Sequence, residues 1–446
     1  MKLVTATALL SLLGLANAHG DRAAHRRHVE NLAARQARTC FIIRCETELA
    51  LTLSDVLASF LTSLDATNPT AVPLSAIVPG AVSRVTQTVE ATIPAGTRPS
   101  AVPNAPGLPD CQFNQNKAQK YPKEDKVPPT DSPQVKRWKE EVKNSGVPIP
   151  NFSPTVEDAD CRANPAAVAE TSRCWWTCGQ CEGKNEVSTC KEKNHWGLTF
   201  DDGPAFHTKE LLDYLDEVKL KATFFVVGSR VYFLPEVLQH EYISGHQIAI
   251  HTWSHSRLTT LTDDQVIAEL GWSKEIIREV LGVTPTHMRP PYGDIDDRVR
   301  NISLAMGLTP VMWTRNENVA FNTQDFEVFG NLTTIEQVLT NWNGIKTASA
   351  NLDTGFIVLQ HDLNQQAVDA ATGYIIPDGL AQSPAWTIEP VINCLNMPMA
   401  NAYIETNDNA TNPFIAKLDG SAIATAGGPG WLLMVVTGLL LGLFAL

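Results

Sequence analysis

Residues 195–204 read HWGLTFDDGP, residues 207–219 HTKELLDYLDEVK, and residues 221–228 KATFFVVG. An apolar run too short for a helix gives way to a segment with apolar residues at helical spacing, and then to a second apolar run. That order reads as strand, helix, strand. It repeats downstream: HQIAIH (246–251), THMRP (286–290), TPVMWT (309–314) and GFIVLQH (355–361) have strand character. Between them, YFLPEVLQHEYIS (232–244), DDQVIAELGWSKEIIREVL (263–281), IDDRVRNISLAM (295–306) and IEQVLTNWNGIKTASA (335–350) have helical periodicity. Strands alternating with helices are parallel strands joined by crossovers. Six to seven such units predict an α/β fold, a small and irregular (β/α) barrel, although a doubly wound sheet carries the same alternation.

Polar residues fall where these runs end. Asp201 with Asp202, His251, Arg289, and His361 with Asp362 each stand at a strand-to-loop junction. The carboxyl ends of parallel strands share one face, so residues distant in sequence converge there. Two adjacent carboxylates in a partly dry site repel unless one binds a cation or shifts its pKa. In HTWSH, His251 and His255 are four apart, a spacing from which both imidazoles reach one ion. With Asp202 they make a site of two nitrogens and one oxygen with open positions. Zn2+ suits it best, with Co2+ or another divalent transition metal as the alternative.

A bound divalent ion acidifies water and polarises a carbonyl, so a base, an orienting cation and an acid remain to be assigned. Asp201, beside the ligand Asp202 but pointing the other way, is the candidate base, and Arg289 in RPPYG is its candidate partner. The backbone N–H of Tyr292 is a candidate oxyanion donor, and His361 is the candidate acid. Among the tryptophans, Trp253 and Trp313 lie nearest the site and are the candidates for stacking on a sugar ring.

These motifs in this order, TFDDGP, HTWSH, RPPYG, WTRNENVA and LQHD, resemble those of the polysaccharide deacetylase family, carbohydrate esterase family 4, over about residues 194–396. The resemblance is nearest to its fungal chitin deacetylases with a glycosylphosphatidylinositol (GPI) anchor. It implies a distorted (β/α) barrel of six to seven parallel strands and metal-dependent removal of acetyl groups from sugars. Residue by residue, it implies Asp201 as base, Asp202, His251 and His255 as metal ligands, Arg289 as partner of the base and His361 as acid. Leu359 takes the position that lines the acetyl-methyl pocket. The fourth motif departs from the family: Asn316 stands where an Asp is expected to tune the acid histidine, and Ala320 where a Trp is expected. Without that charge the imidazolium of His361 is expected to be less favoured, with Glu317 or Asp362 as the nearby substitutes.

The flanks set the compartment. Residues 1–18 have the lysine, apolar run and Ala-x-Ala end of a secretory signal. Residues 422–446 follow small residues and end in an uncharged apolar stretch, the pattern of a GPI attachment signal that is removed, with the anchor on Gly420 or Ser421. Residues 19–150 form a low-complexity, Pro-rich region, 151–193 a Cys-rich extension, 194–398 the catalytic domain and 399–421 a linker. A short helix is expected over 46–64. Asn151, Asn301, Asn331 and Asn409 begin glycosylation sequons. Nine cysteines in an exported chain predict disulfides. Cys190 and Cys394 are placed to clasp the two ends of the catalytic unit, and CGQC (178–181) reads as part of a small disulfide knot rather than a redox motif.

Lys and Arg number 35 against 48 Asp and Glu, so the net charge is 35 − 48 = −13, which argues against nucleic acid as partner. The expected protein is therefore a secreted, surface-anchored enzyme. It converts the N-acetylglucosamine units of chitin, or of a related acetylated polysaccharide, to free amines and acetate. The alternatives are an esterase on acetylxylan or a similar O-acetylated glycan, and a weakly active wall protein that binds chitin.

Overall fold

The computed structural model describes residues 63–80, 93–110 and 120–407. Seven parallel strands make one sheet: β1 (His195–Asp201), β2 (Thr223–Val226), β3 (Gln247–Ile250), β4 (His287–Met288), β5 (Thr309–Pro310), β6 (Phe356–Val358) and β7 (Thr387–Glu389). They run in the order β5-β4-β3-β2-β1-β6, with β7 also on β1. The upper half of β1 pairs with β2 and the lower half with β6 and β7. Between β5 and β6 the ladder gives way to loop hydrogen bonds, Thr314 N–H to Ile357 O at 3.0 Å and Leu359 N–H to Phe321 O at 2.8 Å. The architecture is thus a distorted (β/α) barrel.

The alternation of β1 sorts its side chains into two compartments, as a pleated strand requires. Trp196, Leu198 and Phe200 face the large helix-side core. Gly197, Thr199 and Asp201 face inward. A Cβ at Gly197 would lie 3.1 Å and 3.2 Å from the sulfurs of Cys190 and Cys394, tighter than an ordinary contact, so a side chain here would press on that pair. Those cysteines are disulfide-bonded and, with Phe225, Ala249, Val311, Ile357 and Val391, fill the barrel interior.

The principal helices are α1 (Pro133–Asn144), α2 (Thr208–Glu217), α3 (Gly228–Phe233), α4 (Pro235–Ile243), α5 (Asp263–Leu281), α6 (Asp297–Ala305), α7 (Ile335–Ser349) and α8 (Gln365–Ala370). α5 opens on a capping box between Thr262 and Gln265 and closes on Gly282 at φ 79°. The single helix expected over 232–244 is two, because Pro235 lacks the N–H that would continue α3 and starts α4 instead. α8 was not expected: all six of its residues are buried, so it shows no apolar stripe.

The N-terminal segments pack on the barrel. Leu74, Ile77, Val102, Leu108, Tyr121 and Trp138 are buried in the same core as the barrel helices. Trp138 of α1 lies against Gly271 of α5, where a Cβ would come within 2.2 Å of its ring. In the Cys-rich stretch, Cys161 pairs with Cys178 and Cys174 with Cys181, so the CGQC cysteines pair outward rather than with each other. Residues 46–62, both termini, Asn409, Gly420 and Ser421 lie outside the described residues. Among the described residues no helix is long and apolar enough to cross a membrane.

Candidate metal centre and active site

The carboxyl ends of β1, β3, β4 and β6 bring the polar residues to one rim. Asp202 follows β1 with φ 81°. Its main-chain carbonyl accepts a hydrogen bond from Arg230 Nη1. His255 Nε2 stands 2.9 Å and His251 Nε2 3.5 Å from Asp202 Oδ1. His251 Nδ1 lies 2.8 Å from the Arg289 carbonyl. A carbonyl only accepts, so Nδ1 carries the proton and Nε2 turns its lone pair to the centre.

The donor atoms of Asp202, His251 and His255 all lie within 4.8 Å of one another, the spacing of ligands around one ion. Asp202 Oδ1 is buried with the two imidazole nitrogens close beside it, an anion that a cation shared with those nitrogens would satisfy. Electrostatics fit the same purpose. Burial and the neighbouring His255 push His251 well below the usual imidazole range, keeping it neutral. Burial works against the Asp202 carboxylate, yet His255 and Arg230 outweigh it and hold the group well below the usual carboxylate range. The residues present therefore fit a divalent metal.

Asp201 turns into the barrel, where Arg289 Nη1 donates to its Oδ1 at 2.7 Å while its Oδ2 lies 3.8 Å from His251 Nε2. Arg289 is fully buried, and it donates further to Thr199 Oγ1 and to the carbonyls of Val311 and Met312. Burial lifts Asp201 to about 6, although Arg289 and His361 pull it down. The two carboxylates of the pair thus have different environments and different basicities, despite adjoining each other in the chain.

His361 lies just beyond β6, and its backbone bridges to Asp201. Its partner is a residue the sequence reading did not single out. Asp325 is buried and Oδ1 sits 2.7 Å from His361 Nδ1, while Oδ2 accepts the His361 N–H at 2.9 Å. Burial alone lowers the imidazole, but Asp325 reverses this and raises His361 to about 9. The expectation of a weakened acid is therefore corrected. Asn316 caps a local turn by accepting the N–H groups of Asn318 and Val319, Glu317 is exposed, and Asp362 turns to the Thr208 hydroxyl. The charge comes from Asp325, displaced along the chain on a single turn of 3-10 helix, Asp325–Val328. An acidic residue followed by an aromatic in a loop was the available signal.

The remaining expected residues divide. Tyr292 has φ 60° and is 48% exposed, with its ring 4.7 Å from that of His255. Leu359 is buried on the extension of β6, two residues before His361. Trp313 is nearly buried and edge-on to Trp176 at 6.0 Å. Trp253 is a correction: it is 1% exposed, stacked on Tyr121 at 5.8 Å, with its indole N–H on Lys123 O at 3.1 Å. It belongs to the core beneath the metal loop and presents no face to a sugar. Aromatic surface at the site comes instead from Phe326, whose ring lies 4.7 Å from His361; Phe206, two residues after TFDDGP, is 60% exposed.

The family pattern described as polysaccharide deacetylase matches residues 188–311. The chain is 46% identical over 373 residues to chitin deacetylase 1 of Cryptococcus neoformans var. grubii serotype A, covering 82% of this chain and 77% of that protein. It is 35% identical over 266 residues to the chitin deacetylase of Amylomyces rouxii, covering 53% of this chain and 62% of that one. The structure of the chitin deacetylase from Colletotrichum lindemuthianum aligns with 50% of this chain and 97% of its own at 25% identity, with a TM-score of 0.44. With 46% identity to a protein of which it covers 77%, the chain belongs to the polysaccharide deacetylase family.

Proposed function

We propose that the protein hydrolyses the N-acetyl amide of N-acetylglucosamine units in chitin, releasing acetate and leaving a free amine. The observation that carries this reading is the convergence of Asp202, His251 and His255 beside two further groups of opposite proton affinity, Asp201 and His361. A divalent ion bound by those three, Zn2+ or Co2+ by the softness of the donors, would supply Lewis-acid polarisation of the amide carbonyl and an acidified water.

The chain's own residues do the rest. Asp201, held ionised and aimed by Arg289, takes the proton of the attacking water. The Tyr292 N–H donates to the developing oxyanion. His361, kept protonated by Asp325, delivers a proton to the departing amine. Leu359 packs near the acetyl methyl, and Phe206 offers an exposed ring to the sugar. The pairing of His361 with Asp325 removes the reason for reading the protein as a weakly active binder.

Three disulfides within the described residues support an oxidising compartment. Export by residues 1–18 and lipid anchoring at Gly420 or Ser421 complete the reading, which places the enzyme at the cell surface. Asn151 and Asn331 are exposed and open to glycosylation, whereas Asn301 Nδ2 donates to Pro148 O at 2.7 Å. The test is acetate release from N-acetylglucosamine oligomers and, in parallel, from acetylxylan. Turnover of the oligomers that is lost on chelation and restored by zinc supports the proposal. Release from acetylxylan alone would move the assignment to an esterase.

A further inference from the structure

The two imidazoles of the centre stand at the ends of the loop HTWSH, and the groups that hold this loop come from outside it. α5 brings Glu269, fully buried, beneath the loop. Its Oε2 accepts the N–H of Trp253 and the N–H of Ser254, each at 2.8 Å, and its Oε1 accepts the Ser254 hydroxyl. From α3 the N–H groups of Gly228 and Ser229 donate to the carbonyls of Thr252 and Trp253 at 2.8 Å and 3.1 Å. The loop is thus gripped by its donors from one helix and by its acceptors from another. A Cβ at Gly228 would come within 2.9 Å of the Trp253 ring, so only glycine lets α3 approach this closely.

The grip is needed because the loop backbone is unfavourable by itself. Thr252 and His255 have φ of 65° and 57°, a region that costs an L-residue ~1–2 kcal/mol. Two such residues within one short loop relax to other conformations unless outside contacts over-determine them. Within the loop, the contact between Thr252 Oγ1 and the His255 N–H at 3.1 Å is a single neutral hydrogen bond. Bonds from backbone N–H to a carboxylate are roughly twice as strong as neutral ones. Glu269 supplies two of them when ionised, on the residues midway between the imidazoles; burial raises its carboxyl to about 7, and the donors on Ser254 and Trp253 pull it back down.

We propose that Glu269 is a positioning residue of the metal centre: its carboxylate fixes the HTWSH backbone so that His251 and His255 present their lone pairs to one ion together with Asp202. This inference rests on the reading of those three residues as a metal centre. Glu269 touches neither the ion nor the substrate; it acts through Trp253 and Ser254.

The test uses the full chain with Glu269→Gln, Glu269→Ala and Ser254→Ala. Zinc affinity is read by competition with a chromophoric chelator, the Co2+-loaded visible spectrum reports ligand geometry, and the melting temperature of the metal-free protein reports structure alone. Glu269→Gln keeps the shape and one acceptor but loses the charge. Its zinc Kd is expected to rise ~10–100-fold, the range for groups that orient a ligand, with an altered Co2+ spectrum and a metal-free melting temperature within a few degrees of wild type. Activity should recover at saturating zinc with KM for oligomers unchanged. Ser254→Ala, which removes only the hydroxyl contact, should raise Kd a few-fold, and it decides the matter if neither Glu269 variant folds. A zinc Kd within twofold of wild type in Glu269→Gln, or in Ser254→Ala where that variant must serve, overturns the proposal. Failure of the wild-type protein to bind zinc would instead overturn the metal centre itself.

Discussion

Replacing Asp325 by Asn isolates the charge that sets His361. Asp325 Oδ1 is 2.7 Å from His361 Nδ1, and burial alone would lower this imidazole; Asp325, aided by Asp202 and Asp201, lifts it from 6.5 to about 9. That rise corresponds to ~3 kcal/mol of preference for the imidazolium. Asn preserves the shape and removes the charge, and a contacting opposite charge shifts a pKa by ~1–3. The variant imidazolium is therefore expected to titrate at ~7. At pH 8 its protonated fraction falls from ~0.9 to ~0.1, so acid catalysis there drops ~10-fold from this cause alone. The assay is the pH profile of kcat/KM for acetate release from N-acetylglucosamine oligomers, whose high-pH limb reports the acid of the free enzyme. That limb should fall near 9 in wild type and about two pH units lower in Asp325→Asn. Stability carries the same sign. A folded pKa above the unfolded one stabilises fully below about 6.5 and less as pH rises through about 9, so this difference between wild type and variant should shrink above pH 9. Asn316→Asp is the companion substitution, and no change is expected, because Asn316 caps a turn. A limb that stays in place in Asp325→Asn, or moves upward in Asn316→Asp, refutes the reasoning.

Asp201→Asn should reduce kcat by ~100- to 10,000-fold while leaving zinc affinity nearly unchanged; loss of bound zinc would overturn the division of labour between the two carboxylates. The same variant leaves the buried Arg289 without its anion, and denaturant titration should show a loss of ~3–5 kcal/mol. Removing the disulfide between Cys190 and Cys394, which are 204 residues apart, should cost ~2–5 kcal/mol in denaturant unfolding. Acetate release below the transition should be retained, since the sulfurs fill the barrel interior below the rim.

Much of the fold was legible because it is written in short apolar runs alternating with amphipathic helices, and β1 to β6 lie within those runs. The carboxylate pair, His251 and Arg289 were legible because each stands at a strand terminus, which the topology sends to one face, and His255 because it is spaced four residues from His251. Four things were not. Asp325 lies in an irregular loop where no periodicity fixes register, so the empty position at Asn316 was visible and its replacement was not. Trp253 looked like a cleft aromatic because it adjoins the ligands; only the chain tracing of Tyr121, distant in sequence, shows that its face is covered. The packing of Leu74, Ile77, Val102 and Leu108 was hidden because Pro-rich segments bury single side chains without a repeating pattern. Glu269 read as one more polar residue of an amphipathic helix, and its role emerges only from the backbone groups it meets.

The most direct measurement is calorimetric titration of zinc into the metal-free wild-type chain and into His251→Ala and His255→Ala, with acetate release from oligomers followed on the same samples. One ion per chain in wild type, weakened by orders of magnitude in both variants together with turnover, is the predicted result. Zinc binding that survives the loss of either imidazole unchanged, or turnover that persists without the ion, would contradict the account.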